Sequence, residues 1–306
     1  MPIVVNTNAS ATQASFNLSK ANDALRSSLK RLSSGNRINS PADDAGGMAV
    51  AYKMDSTIKR TEATIQNAQN GLSFLQVQDG ALSTVGNILT RMSELRTMAA
   101  DITKNSGDIE NYSKEFIELQ SQLNQIKRQQ FNGISLFAHQ GSTMSGTGQT
   151  GSANYSATET YTTFSRQLLT TASGQPTDGS ISLNVVNLQF VLSVGSGGTA
   201  QNLGGLGGSA VIDSILDVSI GQFTAVIEKL ADMRAENGAE QNRVMNSIEF
   251  LQTNMTNLEA AHGRIMDADI ALESTRFARQ NVLVQASASM TAQANQLTNI
   301  ALQLLG

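Results

Sequence analysis

Two adjacent carboxylates, Asp43 and Asp44, precede a pair of glycines within the stretch LSSGNRINSPADDAGGMAV. Neighbouring carboxylates can serve as a general acid and a general base, or they can bind a divalent cation. Both kinds of site need further groups, and this stretch supplies no histidine and no third carboxylate. We therefore expect that the pair is neither catalytic nor metal-binding, and that the protein is not an enzyme.

The same residues suit the start of a helix. A first helix would end just before Gly35, because glycine adopts the left-handed conformation that often follows a helix. Ser40 is then predicted to be the N-cap of the next helix, with Pro41 at its first position and Asp43 as the capping-box partner. Asp44 would add a second negative charge to the first turn, where the helix dipole favours it.

The composition excludes several other kinds of site. The chain has 306 residues and no cysteine, which excludes disulfides and thiolate metal sites, and its histidines are His139 and His262. A net charge of −4 gives no general reason to bind nucleic acid or an anionic membrane. No apolar run is long enough to cross a bilayer, and the first residues do not resemble a secretory signal peptide. We expect no cofactor.

Both ends of the chain carry a heptad pattern. Residues 1–19 and 280–306 contain no charged side chain, which suggests that both segments pack against other protein. Small and aliphatic residues recur there at alternating spacings of three and four, which is typical of a coiled-coil seam. We expect the two seams to pack against each other and to form a self-assembly seam. Its large apolar side chains are Leu18, Leu25, Leu32, Leu283, Met290, Leu297 and Leu304.

The inner segments predict three further helices and an insertion. Amphipathic spacing extends over about residues 47–104, 109–126 and 212–262. Between the last two segments, residues 141–211 are rich in serine, threonine and glycine, which favours an exposed insertion rather than a core.

Part of this insertion has the pattern of β-strands. Apolar residues alternate with polar ones in ISLNVVNLQFVLSV, first through Ile181, Leu183 and Val185. A second alternating set begins at Leu188, so the pattern predicts one or two short strands with a turn or bulge near Val186.

These observations predict a mainly α protein. The expected fold is a long antiparallel helical bundle or coiled coil built from both chain ends, with a small β-containing central insertion. The predicted division is a terminal coiled-coil domain of residues 1–45 and 264–306, a helical rod domain of residues 46–140 and 212–263, and an exposed variable insertion of residues 141–211.

Several stretches resemble bacterial flagellin. NRINSPADDAGGMAV resembles the signature of that family, within a longer match that opens at VNTNAS, and FNGISLF is also similar to a flagellin motif. The C-terminal segment from AHGRIMDADIALESTRFARQNV to the end resembles the flagellin tail equally well. The stretch LNQIKRQQFNG is about four residues shorter than the usual flagellin spacing before FNG, so the connector there is expected to differ.

This resemblance implies a structural subunit that polymerises into the bacterial flagellar filament for swimming motility. The implied partners are other copies of the chain, the flagellar export machinery, a chaperone and the cap protein, with no nucleic acid and no membrane. The implied location is extracellular, in the filament, after export without a cleaved signal peptide. The alternatives are a hook–filament junction protein of the same apparatus and an unrelated coiled-coil scaffold. An enzyme carried in the insertion is a further class, but HExxH is absent and residues 141–211 contain no histidine.

The resemblance also implies a surface on the long inner helix. In flagellins this helix carries a surface that Toll-like receptor 5 recognises and that overlaps subunit contacts. The segment LTRMSELRTM resembles it, and the matching positions are Arg91, Glu94, Leu95 and, on the third helix, Glu118. Ser93, Arg96 and Met98 depart from the family pattern. We expect packing between protofilaments to be the main role of this surface.

Overall fold

A computed structural model describes residues 8–137, 149–150, 164–194, 201–203, 212 and 214–305. The chain divides into two compact units. We call Met1–Lys59 with Thr256–Gly306 the terminal unit, and Arg60–Met255 the central unit. These limits differ from the sequence-predicted boundaries near residues 45 and 263, and the three-domain division stays a prediction.

The terminal unit pairs the two ends of the chain. Helix α1 (Ala9–Ser34) packs against the last helix, α6 (Ile270–Leu305). The pair is antiparallel, since Asn8 Nδ2 donates to the carbonyl of Ala294 while Ser28 near the other end of α1 contacts Glu273 at the start of α6. Gly35 follows α1 with a φ of 72°, as predicted, and its N–H donates to the carbonyl of Arg31.

The predicted inner helices are present. Helix α2 (Ala45–Ala99) and helix α5 (Ile220–Met266) each contribute residues to both units. Helix α3 (Ser106–Lys127) begins with a capping box between Asn105 and Asp108. Apolar residues of α2, α3 and α5 form the core of the central unit, and the largest of those that are fully buried include Leu75, Leu82, Leu89, Met92, Phe116, Leu123 and Phe223.

The connector after α3 is a tight hairpin. Strand β1 (Gln130–Phe131) pairs antiparallel with β2 (Ile134–Ser135). Asn132 and Gly133 form the two-residue loop with φ values of 50° and 75°, a conformation that asparagine and glycine adopt most easily. Only Arg128 and Gln129 lie between the end of α3 at Lys127 and the start of this hairpin at Gln130.

The described part of the insertion corrects two predictions. Strand β3 (Gln149–Thr150), β4 (Phe164–Leu169) and β5 (Ser180–Val185) form a three-stranded antiparallel sheet, which includes the first predicted strand. The second predicted strand is wrong at its start, because Leu188–Val191 forms a short helix, α4, whose first turn closes between Asn187 O and Val191 N. The two-stranded sheet of β6 (Ser193–Val194) and β7 (Gln201–Asn202) follows.

The described insertion residues are also not fully exposed. Several apolar side chains between 181 and 203 belong to the core of the central unit: Ile181, Leu183, Val186, Leu188, Val191, Leu192, Val194 and Leu203. Serine, threonine and glycine around them lowered the average hydropathy of the segment and concealed these buried residues. Residues 151–163 lie outside the described residues.

Candidate functional site

The carboxylate pair is a helix start, but its arrangement differs from the prediction. Ser40 does not cap α2, because that helix begins at Ala45. Ser40 and Asp43 instead enclose a separate turn, in which the N–H of Asp43 donates to the carbonyl of Ser40 over 3.0 Å. The Asp43 carboxylate accepts from the Asn39 N–H, the Ser40 N–H and the Ser40 hydroxyl, at 3.1, 3.0 and 3.1 Å. The two backbone N–H donors hold the pKa of Asp43 below its usual value.

Asp44 is the residue that caps α2. Its Oδ1 accepts from the backbone N–H of Gly47 over 2.8 Å, as an N-cap side chain does. A side chain at Gly47 would displace this cap, since a Cβ there would lie 2.5 Å from the Asp44 Oδ2 and 2.9 Å from Ile38 Cδ1. The sequence contained this signal, because an aspartate three residues before Gly47 is as good a cap as Ser40 three residues before Asp43.

No metal-binding constellation adjoins this stretch. Among the residues that the structure describes, no group of three or more histidine, cysteine, aspartate or glutamate side chains could hold a metal ion. A search of the same residues also finds no helix with the length and apolarity needed to span a bilayer.

The predicted seam of α1 faces α6. Leu18, Leu25 and Leu32 are half-buried, and Ala21 and Ser28 between them are buried. The burial of these positions agrees with an inward stripe on α1, and their role in self-assembly stays a prediction.

The predicted seam of α6 faces α1 at Ser287 and Ala294 but not at Leu283 and Met290. Leu283 and Met290 are exposed, by 45% and 66%. The stripe that faces α1 instead has heptad spacing through Glu273, Phe277, Gln280, Val284, Ser287, Thr291 and Ala294, all of which are buried or half-buried. A shift of one position rotates a stripe by about 100° around a helix, so Leu283 and Met290 lie on a different face. The side chains of Leu297 and Leu304 are outside the described residues.

We call the exposed residues Leu283, Ala286 and Met290 the outer stripe of α6. Their spacing of three and four is that of a second heptad seam. An open groove of about 620 Å³ adjoins this stripe. It is lined by Ala286 and Met290 and by small or polar residues of α1, such as Ala9, Gln13 and Ala14. The more apolar of the two stripes of α6 is therefore the one that α1 leaves uncovered.

A buried polar pair in the α1–α6 seam was missed by the sequence analysis. Glu273 is only 4% exposed, and its Oε1 accepts from the hydroxyl of Ser28 over 2.6 Å. Arg276 contacts the other carboxylate oxygen at 3.2 Å. A polar pair inside a seam disfavours other registers of the two helices, because sliding one helix would remove the Ser28 hydroxyl from the buried Oε1 of Glu273. The heptad spacing of Glu273 from Phe277 could have indicated that Glu273 faces inward, but not which residue of α1 it contacts.

The predicted surface on α2 and α3 is brought together only in part. Arg91 and Glu94 are exposed, and the Arg91 guanidinium contacts Glu94 at 3.2 Å and Glu115 of α3 at 2.8 Å. Bonding to Glu115 and then to Glu94 raises the pKa of Arg91. Glu118 is exposed one turn beyond Glu115. Leu95 must be removed from this surface, since it is 0% exposed in the core of the central unit.

One of the residues that depart from the family pattern has an internal role. The Arg96 guanidinium donates to the carbonyl of Val218 over 2.6 Å, and the side chain is half-buried. This bond ties α2 to the segment before α5.

Paired terminal helices, a mainly apolar helical core and an uncovered heptad stripe define a helical structural protein. Comparison with known proteins identifies the family. Residues 5–142 match the model of the bacterial flagellin N-terminal helical region, and residues 220–305 match that of the bacterial flagellin C-terminal helical region. Flagellin A of Vibrio anguillarum is 30% identical over 381 residues, covering 100% of both chains. The flagellin of Bacillus subtilis (strain 168) is 31% identical and covers 98% of this chain and 99% of its own.

The chain belongs to the bacterial flagellin family. Its function is that of a structural subunit that polymerises into the flagellar filament for motility. The names of the relatives, with coverage of the whole chain, favour this function over a junction protein or an unrelated scaffold. A solved structure described as a flagellar hook-associated protein from Vibrio parahaemolyticus covers 74% of this chain and 100% of its own, with a TM-score of 0.55. At 14% identity it shows a likeness of fold alone.

Proposed function

We propose that this subunit assembles by burying the outer stripe of α6 against neighbouring copies of the chain. The observation that carries the proposal is the exposure of Leu283 and Met290 on a heptad-spaced stripe. Burying one such side chain fully stabilises a contact by about 1.5–3 kcal/mol, so leaving a row of them in water is costly for a protein that stays monomeric.

The predicted self-assembly seam is thereby divided into two parts. Leu18, Leu25 and Leu32 support assembly indirectly, because they hold α1 against α6 within one subunit. Leu283 and Met290 contact other subunits directly. By heptad spacing, Leu297 and Leu304 continue the same stripe toward the end of the chain.

The exposed cluster around Arg91 is a second assembly surface in this proposal. Its exposed charged residues Arg91, Glu94 and Glu118 pack between protofilaments, and the family resemblance adds recognition by Toll-like receptor 5. Loss of Leu95 from the surface and the departures at Ser93, Arg96 and Met98 predict weaker receptor activation than a typical flagellin gives. A receptor reporter assay with purified monomer tests this, and activation equal to a strong agonist would contradict it.

The remaining steps follow from the family. The chain leaves the cell through the flagellar export machinery without a cleaved signal peptide, accompanied by a chaperone, and joins the filament beneath the cap protein. It catalyses no reaction and needs no cofactor in this role. Growth of the filament outside the cell, with the first residues of the chain still present in the purified filament subunit, is the expected observation.

The decisive experiment changes the outer stripe and measures polymerisation. The double variant Leu283→Asn, Met290→Gln should stop assembly of purified subunits, measured as the mass that sediments after seeding with wild-type filament fragments. Both side chains are exposed in the subunit, so the free energy of unfolding of the monomer should stay within about 0.5 kcal/mol of wild type.

A matched control separates a specific stripe from general loss of apolar surface. Ile102→Asn removes an apolar side chain that is 98% exposed in the loop between α2 and α3. It should polymerise as wild type does. Normal filaments from the double variant would refute the role of the outer stripe.

A further inference from the structure

A groove lined by basic residues lies within the terminal unit, between the last turns of α1 and the turn at Asn39–Asp43. Its open volume is about 400 Å³. The cations in its lining are Arg26, Lys30 and Arg31, and the anions are Asp23 and Asp43. Within the part of the chain that the structure describes, no carboxylate forms an ion pair with any of the three cations, and the buried Nε of Arg31 has no hydrogen-bond acceptor.

The central unit carries the opposite arrangement. Glu94, Glu115 and Glu118 are exposed around the single cation Arg91. Glu118 has no ion-pair partner among the described residues, and with Glu115 it lines a shallow groove along α3. We call these four residues the acidic cluster.

The two units also differ in total charge. The terminal unit has ten lysine and arginine residues against eight aspartate and glutamate residues, a net charge of +2. The central unit has eleven against seventeen, a net charge of −6. Copies of a chain with a net charge of −4 repel one another when they polymerise. Attraction between the positive terminal unit of one copy and the negative central unit of another opposes this repulsion.

We infer that the basic groove of one subunit binds the acidic cluster of a second copy of this chain. The inference rests on the proposed polymerisation and names a contact within it. The groove has three cations and two anions, and the acidic cluster has three anions and one cation. The excess of positive charge in the groove therefore complements the excess of negative charge in the cluster. Glu118 supplies the carboxylate that is free to pair, and Lys30 and Arg26 supply exposed cations.

A second copy fits this groove better than a small free anion does. Asp23 and Asp43 lie in the lining and would repel phosphate or sulfate. A helix surface with charges of both signs can place its carboxylates at the cations and its guanidinium at the aspartates. Arg91 is such a guanidinium beside Glu115 and Glu94.

Charge reversal in full-length subunits tests the contact. Lys30→Glu and Glu118→Lys should each raise the monomer concentration in equilibrium with filaments by about five-fold, the factor that an exposed ion pair of about 1 kcal/mol contributes. The double variant Lys30→Glu, Glu118→Lys should return to within about two-fold of wild type. Lys20→Glu, the same change on α1 outside the groove, is the control and should not alter assembly. Circular dichroism of each monomer checks the fold, and Lys30→Gln serves if Lys30→Glu does not fold.

Mixing the two single variants decides whether the contact joins different copies. Lys30→Glu and Glu118→Lys subunits should assemble together at concentrations where neither assembles alone. Rescue in the double variant without rescue in the mixture would place the pair within one chain and overturn the inference. Normal assembly of the Lys30→Glu variant would also overturn the inference. So would a groove that serves a small anion instead: the wild-type monomer would then bind inorganic phosphate, and Lys30→Glu would abolish that binding without affecting assembly. If wild-type subunits themselves failed to polymerise, the proposed function would fail instead.

Discussion

In the central unit, Phe116 of α3 and Phe223 of α5 meet edge to face with ring centroids 6.3 Å apart, inside a core of fully buried side chains. No such ring pair is found among the described residues of the terminal unit. Among its described residues, the buried apolar side chains are Ala21, Ile38, Ala51 and Ala294, three of which are alanines. Several of its large apolar residues, such as Phe16 and Met290, are instead exposed.

The difference indicates how a polymerising protein distributes its hydrophobic residues. The central unit buries them within one chain. The terminal unit fully buries only small residues and one polar pair in its internal seam, and it leaves larger apolar residues half-buried or exposed, which the proposed assembly would bury against other copies. A mutation should therefore act on the folding of the monomer in one unit and on assembly in the other.

The largest expected effect on folding is in the central core. Phe116→Ala removes a fully buried ring and its contact with Phe223, and should lower the free energy of unfolding by about 3–5 kcal/mol. Leu25→Ala in the half-buried seam of α1 should lower it by only about 1 kcal/mol. Denaturant unfolding of the monomer, followed by circular dichroism, measures both. Equal losses would show that the terminal unit has a core comparable to that of the central unit.

A smaller effect concerns a carboxylate that joins a helix to the sheet. Both oxygens of Glu240 on α5 lie 2.9 Å from the backbone N–H of Asn184 in β5. Burial raises the pKa of Glu240 from 4.5 to about 7, and the nearby Glu236 adds to this, while the bond from Asn184 and the charge of Arg243 oppose it.

This shift makes the stability of the central unit depend on pH. The Glu240 carboxyl binds a proton more readily in the folded state than in the unfolded state. Its contribution to the free energy of unfolding is therefore complete below the unfolded pKa of 4.5 and is lost as the pH rises through about 7. Glu240→Gln imitates the protonated form and should be more stable than wild type at pH 8, by at most about 2 kcal/mol because the group is partly solvated. The difference should vanish near pH 4.5.

Glu228→Gln is the matched control for this measurement, since Glu228 is exposed on the same helix. It should leave the pH dependence of unfolding unchanged. A Glu240→Gln curve parallel to that of wild type between pH 4.5 and pH 8 would contradict the assigned role of burial.

The sequence predicted the helices and the inward stripe of α1 because both depend on periodicity. It misplaced the large residues of the α6 stripe, because hydrophobic spacing does not distinguish burial within a chain from burial between chains, and Leu283 and Met290 are the more apolar choice. Leu95 was assigned to the surface by resemblance, although its spacing from Met92 and Ala99 marks a buried face. The contact between Ser28 and Glu273 could not be predicted, because it depends on the register of two helices far apart in the chain.

The smallest expected effect on stability is at the start of α2. In this part of the terminal unit, hydrogen bonds between neighbouring residues hold the chain rather than a large apolar core. Asp44→Ala removes the acceptor of the Gly47 N–H and should cost about 1 kcal/mol of local stability, measured as faster amide exchange at Gly47. Asp44→Asn keeps a side-chain oxygen acceptor and should restore slow exchange. Ser40→Ala removes only an exposed hydroxyl, since Asp43 keeps its bonds from the Asn39 and Ser40 backbone, and should leave Gly47 unchanged. Faster exchange in Ser40→Ala than in Asp44→Ala would return the cap to Ser40, and exchange that responds to a chelator would instead favour a metal at the carboxylate pair.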